Sequence, residues 1–213
     1  LAGSSTIRIE GRKKFHNIEH TVMPDRIVAG TYLVAAAITG GSVVLKDVIL
    51  EHLKPVMSKL TESGCSISKY DSFIKMKCPK RPNPVDLVKT LPYPGFPTDM
   101  QAQMMALMSI AKGTSIFIET VFESRYKHAE ELVKMGARIK IDGRAAIVRG
   151  VNKLTGAQLT AKDLRGGAAL VLAGLAAEGT SIVDNVDTHI ERGYENFDVK
   201  LRNLGADITK AET

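Results

Sequence analysis

Tryptophan is absent from this chain of 213 residues, and aromatic residues make up only 5% of it. No run of Lys or Arg is interleaved with Tyr or Phe, so the sequence offers no stacking platform for bases, and no nucleic acid is expected among its partners. Cysteine occurs twice, at Cys65 and Cys78. Two are too few for a disulfide framework and lack the spacing of a metal site, which suits a reducing compartment. Long apolar runs are missing as well: the longest, Ala168 to Ala177, falls far short of the roughly 20 residues a membrane helix needs. No basic segment followed by an apolar one opens the chain. These absences point to a cytoplasmic protein with no membrane partner. There is no P-loop or dinucleotide glycine fingerprint. His16 and His20 share helical i, i+4 spacing but have no third ligand in view, so neither metal nor cofactor is expected.

What is present is an ordinary globular composition, 44% hydrophobic and 24% charged, with enough apolar mass for a core. The net charge of +6 favours anionic partners, among which small phosphorylated molecules fit better than nucleic acid. The opening Leu1-Ala2-Gly3-Ser4-Ser5, with no initiating Met, reads as the interior of a longer polypeptide.

An internal repeat organises the chain. Gly41-Ser42-Val43-Val44, Gly113-Thr114-Ser115-Ile116 and Gly179-Thr180-Ser181-Ile182 each follow an apolar helix-like run and open a β-branched one. A second glycine motif follows at offsets of 23, 23 and 26 residues: Gly64-Cys65-Ser66-Ile67, Gly136-Ala137-Arg138-Ile139 and Gly205-Ala206-Asp207-Ile208. The first helix of each unit, through Leu33 to Ile38, Met104 to Ala111 and Ala168 to Ala177, is apolar nearly all round, the pattern of a helix buried on every side. The second is amphipathic, with Leu53, Val56 and Leu60 in one unit and Phe197, Leu201 and Leu204 in another at helical spacing. Strands are expected at Ser66 to Met76, at Arg138 to Val148 and from Asp207. Thr6 to Glu10 has the pattern of the closing strand of a truncated copy. The fold class is therefore α/β: a single domain over 1–213, with units over roughly 24–90, 97–150 and 162–213 and a truncated unit over 1–23. The apolar helices would lie together in the centre with small sheets around them, an inside-out α/β barrel-like arrangement. Six of the eight prolines fall between Pro79 and Pro97, so a long ordered loop should deliver the chain to Asp99.

Each buried helix begins near an Asp: Asp25, Asp99 and Asp163. Helix capping is the ordinary explanation, because an acid there satisfies orphan amides and suits the helix dipole. Asp99 carries extra weight because it follows the rigid segment Pro92-Tyr93-Pro94-Gly95-Phe96-Pro97-Thr98. Arg26 and Arg165 fall in the first turn of buried helices, where a positive charge opposes the dipole at about 0.3 to 1 kcal/mol. Either a bound phosphate or carboxylate compensates them, or they pair locally with Asp25 or Asp163. Arg125 and Arg192 read as ordinary surface arginines by spacing alone. Cys65 occupies the slot of Ala137 and Ala206, so it reads as a small core residue.

Several segments, in order along nearly the whole chain, then carry a resemblance: Pro24-Asp25-Arg26-Ile27, Phe96-Pro97-Thr98-Asp99-Met100-Gln101-Ala102-Gln103, Glu119-Thr120-Val121-Phe122-Glu123-Ser124-Arg125, Asp163-Leu164-Arg165 and Arg192-Gly193-Tyr194-Glu195. They resemble the signature segments of the MurA family, the UDP-N-acetylglucosamine 1-carboxyvinyltransferases, within the enolpyruvyl transferases related to EPSP synthase. The resemblance implies a two-domain enzyme with substrates, UDP-N-acetylglucosamine and phosphoenolpyruvate, in the cleft between domains, acting in peptidoglycan synthesis. It implies that Asp99 binds the sugar 3′-hydroxyl and acts as base, and that Thr98 and Val121 flank the UDP-sugar. Arg192, Arg125 and Arg165 would face phosphoenolpyruvate, with Arg192 catalytic, while Asp163 and Arg26 line the same cleft. The family's Lys-Asn pair and its loop carrying the C3 proton donor have no counterpart here, so the second domain is a missing partner and the chain alone is expected to fold without turning over. Competing readings are a transferase acting on shikimate 3-phosphate and a non-catalytic module that binds a nucleotide or nucleic acid.

Overall fold

A computed structural model describes residues 6–211. Residues 1–5, within the segment expected as a truncated unit, and 212–213 lie outside the described residues. The first unit runs α1 (Arg26–Ile38), β1 (Ser42–Lys46), α2 (Leu50–Glu62) and a hairpin of β2 (Ser66–Lys69) and β3 (Phe73–Lys77). The second is entered through β4 (Leu87–Lys89) and a single 3-10 turn, Thr98–Met100. It repeats the order with α3 (Gln101–Met108), β5 (Thr114–Ile118), α4 (Lys127–Lys134), β6 (Arg138–Asp142) and β7 (Ala145–Arg149). The third is entered through β8 (Leu154–Thr155) and β9 (Gln158–Thr160). It comprises α5 (Leu164–Leu175), β10 (Ala177–Glu178), β11 (Ile182–Asp184), the one-turn α6 (Val186–His189) and α7 (Phe197–Asn203).

The helices that read as apolar all round pack on one another: α1, α3 and α5 each touch both of the others. Every residue of α3 is buried. Leu33 and Val34 of α1, Met104 and Leu107 of α3, and Leu172 of α5 have no measurable exposure, each contributing about 1.5–3 kcal/mol of apolar burial. In the first two units the hairpin's second strand pairs antiparallel with the strand after the buried helix, β3 with β1 and β7 with β5. The alternation that buries Ile74 and Met76, and Ala146 and Val148, on one face explains the register.

The second glycine motif has one geometry in all three units. Gly64, Gly136 and Gly205 take φ of 98°, 89° and 97°, values that an L side chain resists, so glycine ends each amphipathic helix. The next residue's amide then reaches back five residues, Cys65 to Leu60, Ala137 to Leu132 and Ala206 to Leu201, at 3.0, 3.1 and 3.0 Å. Cys65 is buried, as its repeat slot implies.

Three expectations are corrected. The strands over Ser66 to Met76 and Arg138 to Val148 are each a hairpin rather than one strand, broken at Ser72 and at Gly143 (φ 55°). No strand forms from Asp207 or at Thr6 to Glu10. Among the described residues neither segment joins a sheet. Leu204 lies past the end of α7 at 60% exposure. The proline-rich stretch is ordered but contains β4, which pairs parallel with β5. In the third unit β9 does the same for β11.

Gly150 is held against the end of the second unit's buried segment, its N–H donating to the Gly113 carbonyl at 2.8 Å. A Cβ there would collide with the Ala111 carbonyl oxygen. Gly150→Ala is expected to cost about 1–3 kcal/mol in urea unfolding; an unchanged midpoint would show that the β7 end yields freely. His128 of α4 is fully buried against the first turn of α5, where its Cβ lies 3.2 Å from the space a Gly166 side chain would take. Burial pushes its pKa down to about 4 from 6.5, against the pull of Asp163 and with a further push from Arg125. The neutral ring's stability is present above the unfolded value and fades as pH falls toward the folded one. About 2 kcal/mol should be lost between about pH 7.5 and 5 through this residue. Comparing unfolding free energies of wild type and His128→Gln at both pH values tests it: equal pH slopes refute the assignment.

Candidate active site

Three helix N-termini meet at one end of the core. α1 packs on the 3-10 turn closely enough that a Gly30 side chain would strike Met100 Sδ at 2.9 Å. Through Asp99 that turn also reaches the first residues of α5. Two of the three helix-starting acids are caps: Asp25 Oδ1 accepts from the N–H groups of Ile27 and Val28 at 2.7 and 3.2 Å, and Asp163 Oδ1 from Gly166 at 2.8 Å. The capping explanation thus holds for these two. Asp99 caps nothing. Its Oδ1 accepts from Arg125 Nη2 at 2.6 Å and its Oδ2 from Arg165 Nε at 3.4 Å, a carboxylate gripped by two guanidiniums from different stretches of chain.

The first-turn arginines do not pair with their neighbouring caps. Arg26 lies over the Tyr93 ring, 5.4 Å from its centroid, and Arg165 over Tyr194 at 5.3 Å. Each keeps a buried Nη1 with no hydrogen-bond partner among the described residues. Burial opposes the Arg165 charge, but Tyr194 and the carboxylates of Asp99 and Asp25 outweigh it and hold the pKa above the ordinary arginine value. Two cations whose donors are desolvated and unspent describe a place where an anion is wanted. Tyr194 is itself fixed by a buried polar cluster. Its hydroxyl lies 3.0 Å from Thr31 Oγ1 of α1, and Gln103 Nε2 of α3 donates to Thr31 at 3.1 Å and to Tyr194 at 3.4 Å.

Of the residues singled out from sequence, Asp99, Arg125 and Arg165 come into direct contact, with Thr98 and Val121 beside them. Arg26 flanks them on the Tyr93 loop, and Asp163 sits beneath Arg165 as a cap. Arg192 is exposed and makes no hydrogen bond or ion pair among the described residues; it precedes Tyr194 by two positions. Sequence reasoning passed over Glu119. It is 1% exposed, and its Oε1 accepts from Thr90 Oγ1, Val121 N and Phe122 N at 2.8, 2.9 and 3.2 Å while its Oε2 accepts from Thr98 Oγ1 at 2.8 Å. Strand parity was the available signal: Ser115 and Phe117 point inward from β5, and Glu119 continues that alternation. Tyr126, beside it, has its phenol pushed up to about 12 by burial, with Gln101 pulling the other way.

Residues 2–201 match the family described as EPSP synthase (3-phosphoshikimate 1-carboxyvinyltransferase). The chain is 56% identical, over 98% of its own length and 50% of the relative's, to UDP-N-acetylglucosamine 1-carboxyvinyltransferase 2 of Caldanaerobacter subterraneus subsp. tengcongensis. It is 52% identical, over 99% of its length and 86% of the relative's, to UDP-N-acetylglucosamine 1-carboxyvinyltransferase of Desulfofundulus thermocisternus. Among solved structures, the enolpyruvyl transferase NikO from Streptomyces tendae superposes with a TM-score of 0.79 at 27% identity, covering 89% of this chain and 45% of that one. The chain thus spans about half the length of most of the curated relatives it matches. With the repeated α/β units, their helix-end site and these matches taken together, the chain belongs to the EPSP synthase family of enolpyruvyl transferases.

Proposed function

We propose that this chain is one domain of a UDP-N-acetylglucosamine 1-carboxyvinyltransferase, which moves the enolpyruvyl group of phosphoenolpyruvate to the 3′-hydroxyl of the sugar and releases phosphate. The three units form an inside-out α/β barrel-like domain, and a second domain closes the cleft over the helix N-termini. The observation that carries this reading is the contrast among the three acids. Asp25 and Asp163 serve as caps, whereas Asp99 faces two guanidiniums, with unspent donors of Arg26 and Arg165 nearby. Identity of 49–57% to relatives carrying that transferase name favours the UDP-sugar over shikimate 3-phosphate.

In the reaction, phosphoenolpyruvate brings a phosphate and a carboxylate to the arginines. Their guanidiniums turn from Asp99 to the substrate anions, leaving its oxygens to accept the 3′-hydroxyl proton as that oxygen bonds to C2. A proton from the second domain adds at C3. Loss of a C3 proton and of phosphate from the tetrahedral adduct restores the double bond in the product. Arg125, Arg165 and Arg192 stabilise the anionic groups through this sequence, and Arg26 extends the positive wall. Thr98 and Val121 flank the UDP-sugar. One wall alone excludes water poorly and supplies no C3 donor, so the isolated chain is expected to release no phosphate.

Phosphate release from phosphoenolpyruvate with UDP-N-acetylglucosamine, in the full-length polypeptide, tests the reading. Asp99→Ala should lower kcat by roughly 100- to 10,000-fold; full turnover in that variant would remove Asp99 from the chemistry. Arg165→Ala should weaken phosphoenolpyruvate binding by about 10- to 100-fold, the worth of hydrogen bonds to a charged group. Thermal protection by shikimate 3-phosphate and not by the UDP-sugar would replace the assigned acceptor.

A further inference from the structure

Glu119 is a buried acid that the proposed reaction does not use. No cation pairs with it among the described residues; its charge is met entirely by dipoles, two hydroxyls and the consecutive N–H groups of Val121 and Phe122. Desolvating a carboxylate is costly, and an apolar side chain at this inward position just past the end of β5 would serve packing alone better. What the carboxylate does that an apolar group would not is join three stretches of chain. Thr90 ends the β4 segment and is itself tied to Thr120 by two hydrogen bonds, its Oγ1 accepting from Thr120 N at 2.9 Å and its carbonyl accepting from Thr120 Oγ1 at 2.5 Å. Thr98 is the residue before Asp99. Val121 and Phe122 open the loop that carries Arg125.

We infer that Glu119 is a positioning residue, an internal anion that holds the Thr98–Asp99 turn and the Val121–Arg125 loop in fixed relation so that Asp99 meets Arg125 and the sugar nucleotide correctly. The role rests on the function proposed above. It acts through acceptor geometry: the oxygen on the loop side takes three donors and the oxygen on the turn side takes one. A glutamine can keep the first set with its carbonyl and donate from its amide to Thr98 Oγ1, whose hydroxyl accepts as readily as it donates. An alanine abandons all four donors inside the protein.

The test uses the full-length polypeptide with Glu119→Ala, Glu119→Gln and Thr98→Val, reading phosphate release together with amide hydrogen exchange over residues 96–101 and 119–125. Glu119→Ala should lower kcat by about 100-fold, the scale of a small misplacement of reacting groups, and speed exchange in both segments. Glu119→Gln should return kcat to within about fivefold of wild type and restore slow exchange, since its carbonyl keeps the three donors on the loop side and its amide can donate to Thr98 Oγ1. Thr98→Val, which cuts the single bond to the turn, should lower kcat by about tenfold and add little in the Glu119→Ala background, as members of one network do. If Glu119→Ala does not fold, the Glu119→Gln and Thr98→Val arms decide alone. Wild-type kcat in Glu119→Ala or Thr98→Val, or a loss in Glu119→Gln as deep as in Glu119→Ala, overturns the role. Should wild type itself release no phosphate, the proposed reaction falls while exchange still judges Glu119: faster exchange in both segments on Ala and slow exchange on Gln supports it, and unchanged exchange on Ala refutes it.

Discussion

Mutual burial of α1, α3 and α5 is the constraint from which the rest of the architecture follows. Helices apolar on every side must be surrounded, and here they surround one another, with the amphipathic helices and small sheets completing the enclosure. Packing them with their N-termini at one end gathers three sets of orphan amides and three dipole ends there. That end is electropositive before any side chain is added. Arg26 and Arg165 in the first turns and Arg125 from a neighbouring loop strengthen it, and the acids of the site keep it from being prohibitively so. Asp25 and Asp163 neutralise their own helices, which leaves Asp99 to face the arginines.

Two of the buried polar networks serve that end of the arrangement. Thr31, Gln103 and Tyr194 form a hydrogen-bonded cluster linking α1, α3 and the segment after α6, and the Tyr194 ring lies under Arg165. Glu119 does the corresponding work for Asp99 and Arg125. Buried polar groups must be satisfied or they destabilise, so each network also specifies one arrangement of the elements it joins. The site residues are in this way held from beneath by buried groups.

Much of the fold was legible in the sequence because it rests on local rules. Glycines at equivalent slots foretold the helix ends, and all-round apolarity foretold which helices are buried. The amphipathic faces of α2 and α7 agree with the sequence pattern, except at Leu204. The misses are places where a local pattern depends on a distant partner. Thr6 to Glu10 and the residues from Asp207 have strand composition but join no sheet among the described residues. The hairpins of the first two units read as single strands in sequence, because the turns at Asp71-Ser72 and at Gly143 are short interruptions of an otherwise continuous pattern. For the site, Asp99 was distinguishable from the two capping acids only by the rigid segment before it. Its pairing with Arg125 and Arg165 spans 26 and 66 residues, a separation no periodicity reports. Glu119 was readable from strand parity, but its four donors come from three stretches of chain.

The closed contact among the central helices also sets how the chain can come apart. In a linear array of repeats a terminal unit can fray and leave the others standing, since it shares one interface with one neighbour. Here each unit's helix contributes to two interfaces, so detaching any one of them strips apolar surface from both of the others. Partial unfolding is thereby penalised twice, and the three units, though separate in sequence, are bound into a single cooperative transition.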